Sequence, residues 1–478
     1  MMKNAHLIGL CGAGMSAVAR LLQETGYIVT GSDEGFYPPV SDYLTRIGLG
    51  CMIGHRASNI PPDPDLIVIG KHAKLVPESN EEVAAALDQY ADNVHSFPQV
   101  LAQLTADRER MVVAGSYGKS TLTSLITWCL VSTGKAPGWF IGAIPKGLSH
   151  SSAMGGAGPF IFEGDEYPSA NWDDRPKFVH YDPATVLLTS ATHDHVNIYP
   201  TLQSYHAPFH ALMTGLSERQ GHLIACTDEQ YSSNFFYAFP GRKTSYGLEP
   251  GADYGAQMIE LGDPIAGTPT RFTLTVDRTP YPGFETSQMG RHAVQNICGA
   301  AAYLVGEGHL TIDEFQAAVA AFAGLERRLD RKAPGSALPV YEGFGSSYEK
   351  ARAAIDAMRA HFPQRRLIVM FEPHTFTWRN RNALSQYDSA FAGTDTVWMF
   401  APPDHGQGTH DQVSGEEIVE RARQTHRDVR IFTKDDVSQV LDDASPSNDV
   451  LLILSSGSFG GSLARFLAAV VDRHPATS

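Results

Sequence analysis

Cysteine is scarce in this sequence of 478 residues, and its distribution excludes a disulfide-rich fold. The five cysteines are scattered and form no CxxC pair: Cys11, Cys51, Cys129, Cys226 and Cys298. An odd, dispersed set of this kind argues against both a disulfide framework and a cysteine zinc site. We therefore expect reduced thiols and a cytoplasmic location.

Long hydrophobic runs and an excess of positive charge are also missing. No stretch reaches the roughly 18 apolar residues of a membrane-spanning helix, and the N-terminal residues do not follow the pattern of a targeting peptide. The formal net charge of −15 disfavours broad contact with nucleic acid or with anionic membranes. We expect a soluble protein, monomeric or weakly dimeric, that binds neither nucleic acid nor membrane.

Three successive segments alternate short apolar runs with amphipathic stretches. This alternation predicts an α/β fold with parallel sheets. We predict a Rossmann-like domain over residues 1–107, a central phosphate-loop domain over 108–329 and a second Rossmann-like domain over 330–478. Gly, Pro and Thr are frequent between residues 246 and 290, where we predict antiparallel strands within the central domain.

The strongest motif is a short phosphate loop that follows the apolar run MVVA. Small residues at Gly115, Ser116 and Gly118 let backbone N–H groups point at phosphate oxygens. The helix predicted to begin around Thr121 adds the positive potential of its N-terminus. We predict an ATP site, with a chance arrangement at a helix start as the alternative.

Two side chains of the loop carry the chemistry of that site. Lys119 supplies a positive charge for the β- and γ-phosphates, and the hydroxyl of Ser120 is a ligand for Mg²⁺. The loop lacks the first glycine of the GxxxxGK[ST] pattern, because Val113 stands there.

Acidic residues and histidines follow the next two apolar runs, in EGDEY and THDH. These residues are Glu163, Asp165, Glu166, His193, Asp194 and His195. Carboxylate oxygen is the ligand that Mg²⁺ prefers, and such groups around a γ-phosphate serve phosphoryl transfer. Ordinary solvated loop residues are the alternative for each of them.

A second glycine-rich turn lies near the N-terminus. Gly9, Gly12 and Gly14 follow an apolar run and open a predicted helix, and Asp33 comes about 20 residues later. This spacing is typical of a nucleotide diphosphate site with an acid near a ribose hydroxyl. Taken alone it also fits an NAD-dependent dehydrogenase.

The motifs in combination resemble those of the Mur ligases, three-domain ATP-dependent enzymes that form amide bonds in peptidoglycan synthesis. The matching stretches run from residue 6 to about residue 461: GLCGAGMS, TGSD, AGSYGKSTLTS, EGDEY, THDHVNIYP, GRHAVQN, GLERRLD and MFEPHTFT. The phosphate loop of that family is the short form GTxGKT[TS], which accounts for the absent glycine.

The resemblance implies roles for most of the candidate residues. It assigns Gly12, Gly14 and Asp33 to the UDP moiety of the substrate. It assigns the phosphates of ATP and Mg²⁺ to Lys119 and Ser120.

Further roles also come from the resemblance alone. Glu166 matches a Mg²⁺ ligand, and His195 matches a histidine of a second metal position. Asn296 matches a residue that contacts adenine, and Arg328 matches an arginine that reaches the nucleotide.

Two stretches depart from the family pattern. In GRHAVQN, Ala293 replaces an asparagine, and in EGFGSSYEK the residues from Gly343 to Tyr348 replace an aspartate, histidines and a proline. The second change affects the loop that closes over ATP in the family. It motivates an altered specificity, with a lost reaction or replacement of the lost groups by other polar residues as the alternatives. Those residues are Glu342, Ser346, Ser347 and Lys350. Arg379 is a candidate for binding a substrate carboxylate, because a guanidinium group suits that geometry; a solvated loop arginine is the alternative.

These observations lead to one hypothesis and three alternatives. We expect an ATP-dependent ligase that joins the carboxylate of a UDP-N-acetylmuramate-like substrate to the amine of a peptide or amino acid, with Lys119, Glu166 and His195 as catalytic residues. The alternatives are a related ligase for a carboxylate and amine outside peptidoglycan, a non-catalytic nucleotide-binding protein, and a dehydrogenase.

Overall fold

The computed structural model describes residues 3–37, 40–196, 198–400 and 413–476. Within these residues, three β-sheets follow one another along the chain, with helices packed around them. Most strand pairs are parallel, so the predicted α/β class is confirmed. The domain boundaries near residues 107 and 329 stay a prediction. None of the helices in the described ranges has the length and apolar character needed to cross a bilayer.

The first sheet has five parallel strands in the order β3-β2-β1-β4-β5. Its strands are β1 (Asn4–Ile8), β2 (Ile28–Asp33), β3 (Met52–Ile53), β4 (Leu66–Ile69) and β5 (Val94–His95). Its helices are α1 (Ala13–Glu24), α2 (Val40–Arg46), α3 (Glu81–Gln89) and α4 (Phe97–Leu104). Strand β4 is buried along its whole length, as expected for a parallel strand with both faces covered.

The second sheet has ten strands in the order β15-β14-β13-β12-β11-β10-β6-β9-β7-β8. Its strands are β6 (Arg110–Ala114), β7 (Gly138–Phe140), β8 (Ser152–Ala153), β9 (Phe160–Glu163), β10 (Thr185–Leu188), β11 (His222–Cys226), β12 (Arg242–Tyr246), β13 (Tyr254–Glu260), β14 (Thr270–Val276) and β15 (Thr279–Thr286). Its helices are α5 (Lys119–Ser132), α6 (Leu202–Glu218), α7 (Gln230–Ala238), α8 (Arg291–Leu304) and α9 (Ile312–Ala321).

The antiparallel strands predicted between residues 246 and 290 are confirmed as β13, β14 and β15. The two residues between β14 and β15, Asp277 and Arg278, have positive φ angles of 47° and 66°. A two-residue hairpin of the favoured twist requires this conformation at both positions.

The third sheet has six strands in the order β16-β17-β21-β18-β19-β20. Its strands are β16 (Arg328–Lys332), β17 (Val340–Gly343), β18 (Arg366–Phe371), β19 (Thr396–Phe400), β20 (Val429–Phe432) and β21 (Asp449–Leu454). Its helices are α10 (Tyr348–His361), α11 (Phe376–Arg379), α12 (Gly415–Thr425) and α13 (Leu463–Arg473). Short 3-10 helices occupy Ala57–Asn59, Ala91–Asn93, Lys177–Tyr181, Arg381–Asp388 and Val437–Leu441.

Side chains connect the regions around the three sheets. Asn171, in the loop between β9 and β10, donates a hydrogen bond to the carbonyl of His72 beside the first sheet at 2.9 Å. His361, at the end of α10, accepts a hydrogen bond from the backbone N–H of Gly290 at 2.9 Å. Its other ring nitrogen lies 2.8 Å from the carbonyl oxygen of Gly262. The third sheet is therefore held against the carboxyl edge of the second, where the phosphate loop lies.

Candidate active site

The phosphate loop connects β6 to α5 at the carboxyl edge of the second sheet. Gly115 has a φ of 137°, and a Cβ there would lie 2.2 Å from Oγ1 of Thr189. Gly118, the residue before α5, has a left-handed conformation with a φ of 82°. Ser190 supports the loop from the neighbouring strand: its carbonyl accepts from the N–H of Ser116 at 3.1 Å. Backbone and contacts therefore both require glycine at position 115.

Lys119 and Glu166 form the central ion pair of the site. The ammonium nitrogen of Lys119 lies 3.0 Å from Oε2 of Glu166, whose side chain is only 1% exposed. The same ammonium donates to the carbonyl of Gly115. Burial by itself raises the pKa of Glu166, but Lys119 and then His195 hold that pKa below its ordinary value. The carboxylate is therefore ionised, and Lys119 is aimed at the mouth of the phosphate loop.

His195 completes this cluster from the loop that follows β10. Its Nε2 lies 3.2 Å from Oε1 of Glu166, and its Nδ1 lies 2.8 Å from the hydroxyl of Tyr167. The backbone of His195 has a positive φ of 54°, which is uncommon outside glycine and occurs more often at functional sites. The structure thus brings together the three residues predicted as catalytic, Lys119, Glu166 and His195.

The other acidic and histidine candidates divide between this cluster and outer positions. Glu163 accepts a hydrogen bond from the hydroxyl of Ser120 at 2.6 Å and lies inside the cluster. Asp165 pairs with Lys177 at 2.6 Å, and the Nε2 of His193 lies 2.7 Å from the carbonyl of Tyr199.

The oxygen atoms at the loop fit a magnesium ion. The hydroxyl of Ser120 and the carboxylates of Glu163 and Glu166 are hard oxygen donors at one edge of the sheet. In the described part of the chain, no group of three or more His, Cys, Asp or Glu side chains is arranged to hold a metal. Mg²⁺ typically takes one or two protein ligands and completes its shell with phosphate and water. The residues present therefore suit Mg²⁺ in company with a bound phosphate group.

A cavity of about 420 Å³ opens beside the phosphate loop, between the second and third sheets. Gly118 and Thr121 line it from the loop, and Asn296 and Arg328 line it from farther along the chain. Asn296 is 8% exposed, and its Oδ1 lies next to Gly118, where a Cβ would approach to 3.4 Å. The cavity therefore brings together Asn296, predicted to contact adenine, and Arg328, predicted to reach the nucleotide.

Arg328 enters the same cavity from the start of β16. Its guanidinium carbon lies 4.8 Å from the centre of the ring of Phe344. Burial lowers the pKa of Arg328, while the charge of Glu163 raises it. Arg328 therefore lies beside Phe344 in this cavity, and its predicted contact with the nucleotide stays a prediction.

The loop that departs from the family pattern is anchored within the third sheet. Trp378 donates to the carbonyl of Gly345 at 2.8 Å, and Thr375 donates to the carbonyl of Ser346 at 2.7 Å. Ser347 precedes α10, and its hydroxyl accepts from the N–H of Lys350. The next turn of the chain, with Glu349 and Lys350, faces the cavity. The departure from the family pattern identifies this loop, and Lys350 is one of the polar residues that could replace the groups lost from it.

The glycine turn of the first sheet has the geometry of a compact strand-to-helix connection. Gly12 directly precedes α1 in an extended conformation, without a side-chain cap. The carboxylate of Asp33 accepts from the N–H of Cys11 at 2.8 Å and so holds the turn from the end of β2. At Gly14 a Cβ would approach the ring of Phe97 to 3.3 Å. Gly14 therefore permits close packing of α1 against α4, and its predicted contact with a ligand is untested.

Arg379 lies at the end of α11 and is only 7% exposed. Its Nε donates to the carbonyl of Pro373 at 2.8 Å. The alternative of a solvated loop arginine is therefore wrong, because the side chain is buried. Its predicted contact with a substrate carboxylate stays a prediction.

The fold and this site define a phosphate-loop protein built on three successive α/β sheets. Residues 4–109 match the model of the Mur ligase family catalytic domain, and residues 113–304 match the Mur ligase middle domain. The chain belongs to the Mur ligase family. The family predicted from the motifs is confirmed, and with it the class of enzyme, a ligase.

Individual relatives cover nearly the whole chain. A UDP-N-acetylmuramate–L-alanyl-γ-D-glutamyl-meso-2,6-diaminoheptandioate ligase of Haemophilus influenzae is 27% identical over 464 residues, which is 96% of this chain and 97% of that protein. A UDP-N-acetylmuramate–L-alanine ligase of Chlorobium phaeovibrioides is 30% identical over 398 residues, 83% of this chain and 81% of that protein. The crystal structure of a UDP-N-acetylmuramate–alanine ligase of Thermotoga maritima superposes with a TM-score of 0.77 at 20% identity, covering 99% and 100% of the two chains.

Proposed function

We propose that this protein is an ATP-dependent ligase that joins the carboxylate of UDP-N-acetylmuramate, or of a close analogue, to the amine of a peptide or amino acid. The observation that carries the proposal is the cluster of Lys119, Glu166 and His195 at the mouth of the phosphate loop, beside the cavity between the second and third sheets. The names of the two curated relatives support this choice of substrate and leave the amine open between L-alanine and a tripeptide.

In the proposed reaction, an oxygen of the substrate carboxylate attacks the γ-phosphorus of ATP. The bond between that phosphorus and the β,γ-bridging oxygen breaks, which yields ADP and an acyl phosphate. The amine nitrogen then attacks the acyl carbon, the carbon–oxygen bond to the phosphoryl group breaks, and phosphate and a proton leave. The product is an amide.

The chain's own residues have defined tasks in this scheme. Lys119 and the N-terminus of α5 offset the repulsion between the carboxylate and the triphosphate. Ser120 and Glu166 would hold Mg²⁺, which when bound neutralises phosphate charge. His195 contacts Glu166 through its Nε2 and so holds that carboxylate in place. The packing of the third sheet over the cavity limits the access of water, which would otherwise hydrolyse an acyl phosphate.

A ligase for a different carboxylate and amine is the second candidate. The altered loop from Gly343 to Tyr348 favours it, because its side chains and carbonyls are engaged within the third sheet, for example with Trp378 and Ser389. A panel of amines offered with UDP-N-acetylmuramate separates the two candidates, since turnover with none of the peptidoglycan amines supports the second.

The test of the main proposal is phosphate release with ATP, Mg²⁺, UDP-N-acetylmuramate and the amine, each omitted in turn. We expect release to require all four components, and mass spectrometry to find the amide. Phosphate release that is independent of UDP-N-acetylmuramate and of every amine would contradict the proposal.

A further inference from the structure

Lys350 lies on α10, which packs with the third sheet, yet its side chain contacts the phosphate loop of the second sheet. It lies in the first turn of α10, and its ammonium nitrogen is 3.6 Å from Oδ2 of Asp194. The same nitrogen is 5.5 Å from the centre of the ring of Tyr117, a residue of the phosphate loop. Lys350 also lines the cavity that holds Gly118 and Thr121. One lysine therefore joins α10 to both loops that form the candidate active site.

The hydrogen bonds around this ammonium leave donors available to a ligand. An ammonium group has three donors, and among the described residues its hydrogen-bond partner is the hydroxyl of Ser346, at 3.2 Å. Asp194 Oδ2 is buried and, in the same part of the chain, has no hydrogen-bond partner. The ammonium of Lys350 is thus attracted to Asp194 without being saturated by it.

Among the lysines and arginines of the described residues, Arg328 and Lys350 line this cavity. Arg328 enters from the first residue of β16, and Lys350 enters from the first turn of α10. Burial lowers the pKa of Lys350, the charge of Asp194 raises it, and the charges of Lys119 and Arg328 lower it further. Two cations therefore line the space next to the phosphate loop, and Lys119 lies at the end of the loop itself. Cations placed in this way suit a polyanion.

We propose that Lys350 is a further catalytic residue, which donates hydrogen bonds to the γ-phosphoryl group while it passes from ADP to the substrate carboxylate. This inference rests on the proposed function. During the transfer the negative charge spreads over the three equatorial phosphoryl oxygens, and a fixed cation next to them lowers the barrier. Lys119 lies on α5 beside the second sheet, and Lys350 lies on α10 beside the third. The two cations can act on one phosphoryl group only while the two sheets are held together, so phosphoryl transfer depends on that arrangement.

A purely structural role is the competing explanation, in which Lys350 only holds α10 near Asp194. The two roles differ in their dependence on the γ-phosphate. A catalytic Lys350 contacts that phosphate, so its loss weakens binding of a non-hydrolysable ATP analogue more than binding of ADP. A structural Lys350 affects both nucleotides alike. Asp194→Asn removes the charge that attracts Lys350 and leaves the lysine in place, so it reports the effect of losing the ion pair alone.

The experiment is isothermal titration calorimetry of AMP-PNP and of ADP, both with Mg²⁺, on the full chain and its variants. We expect Lys350→Gln to lose roughly tenfold in affinity for AMP-PNP relative to ADP, the size of one charge-assisted hydrogen bond. Lys350→Arg should retain most of the preference, and the exposed Lys135→Gln all of it. The kcat of Lys350→Gln should fall by about 10²–10³-fold, as for other transition-state donors.

Two results would overturn the inference and leave the proposed function intact. One is an unchanged ratio of the two affinities in Lys350→Gln, and the other is the same loss of preference in Asp194→Asn. If the wild-type protein binds neither nucleotide, the proposed function fails and the inference fails with it.

Discussion

Lys119 Nζ lies 3.0 Å from Oε2 of Glu166, so the predicted phosphate-binding cation is paired with a buried carboxylate. Both side chains come from the carboxyl ends of adjacent strands, β6 and β9. We expect a triphosphate in the loop to compete with Glu166 for Lys119, so changes at either residue should alter nucleotide binding.

Replacement of Lys119 by alanine should abolish most of the activity. The variant loses the positive charge at the mouth of the loop, and we expect kcat for ADP formation to fall by at least about 10²–10³-fold. Lys135→Ala is the matched control, because Lys135 pairs with Glu314 at the surface with side chains 39% and 38% exposed. Near-normal ADP formation by Lys119→Ala would refute its assignment.

Glu166 should make the stability of the protein sensitive to acid. Burial raises its pKa, but Lys119 and His195 lower the pKa further, so the folded-state value lies below the ordinary 4.5. The stabilisation from its ionised form is therefore complete above about pH 4.5 and is lost as the pH falls towards the folded-state pKa.

The measurement is urea unfolding at about pH 5 and about pH 3. The free energy of unfolding of Glu166→Gln should fall less between these two conditions than that of the wild type, although the variant is less stable at both. The exposed Glu249→Gln serves as the control and should follow the wild type. Equal losses in the wild type and Glu166→Gln would contradict the buried ion pair.

Gly115 should not tolerate a side chain. A Cβ at this position would lie 2.2 Å from Thr189 Oγ1 and 2.7 Å from the carbonyl oxygen of Ser190. Gly115→Ala should displace the loop, with a cost in stability of about 1–3 kcal/mol and a clear loss of ATP affinity in calorimetry. At Gly50 a Cβ would meet nothing within 4 Å, so Gly50→Ala should bind ATP as the wild type does. Equal ATP affinity in the two variants would show that the loop accommodates the methyl group.

Asp33 should affect the UDP-linked substrate and not ATP. Its carboxylate holds the glycine turn through the N–H of Cys11. In Asp33→Ala we expect KM for UDP-N-acetylmuramate to rise by about tenfold or more, the size of one hydrogen bond to a charged group. The affinity for ADP in calorimetry should stay unchanged. A parallel loss of ADP affinity would place Asp33 outside the predicted substrate site.

The sequence predicts those site residues that follow the carboxyl ends of neighbouring parallel strands. Apolar runs identified β6, β9 and β10, and these three strands are neighbours in the sheet. Because parallel strands end at the same edge, Lys119, Glu166 and His195 converge as the motifs predicted. Asn296 and Arg328 are predicted only from the resemblance to the family, because the residues around them form no motif that indicates a nucleotide site.

Other features depend on contacts that no local pattern encodes. The reach of Lys350 into the cavity depends on how α10 packs against the second sheet. Gly14 fits the pattern of a phosphate turn, but its small size also serves the packing of Phe97. Arg379 follows a buried strand in a polar stretch, which left a solvated position open, whereas the side chain is buried.

The most direct test of the central claim is the fate of a carboxylate oxygen. UDP-N-acetylmuramate labelled with ¹⁸O in its carboxylate should be incubated with the protein, ATP, Mg²⁺ and the amine, and the released phosphate analysed by mass spectrometry. If the carboxylate is phosphorylated, each phosphate formed carries one labelled oxygen. Phosphate released without the label would contradict an acyl phosphate and, with it, the proposed reaction.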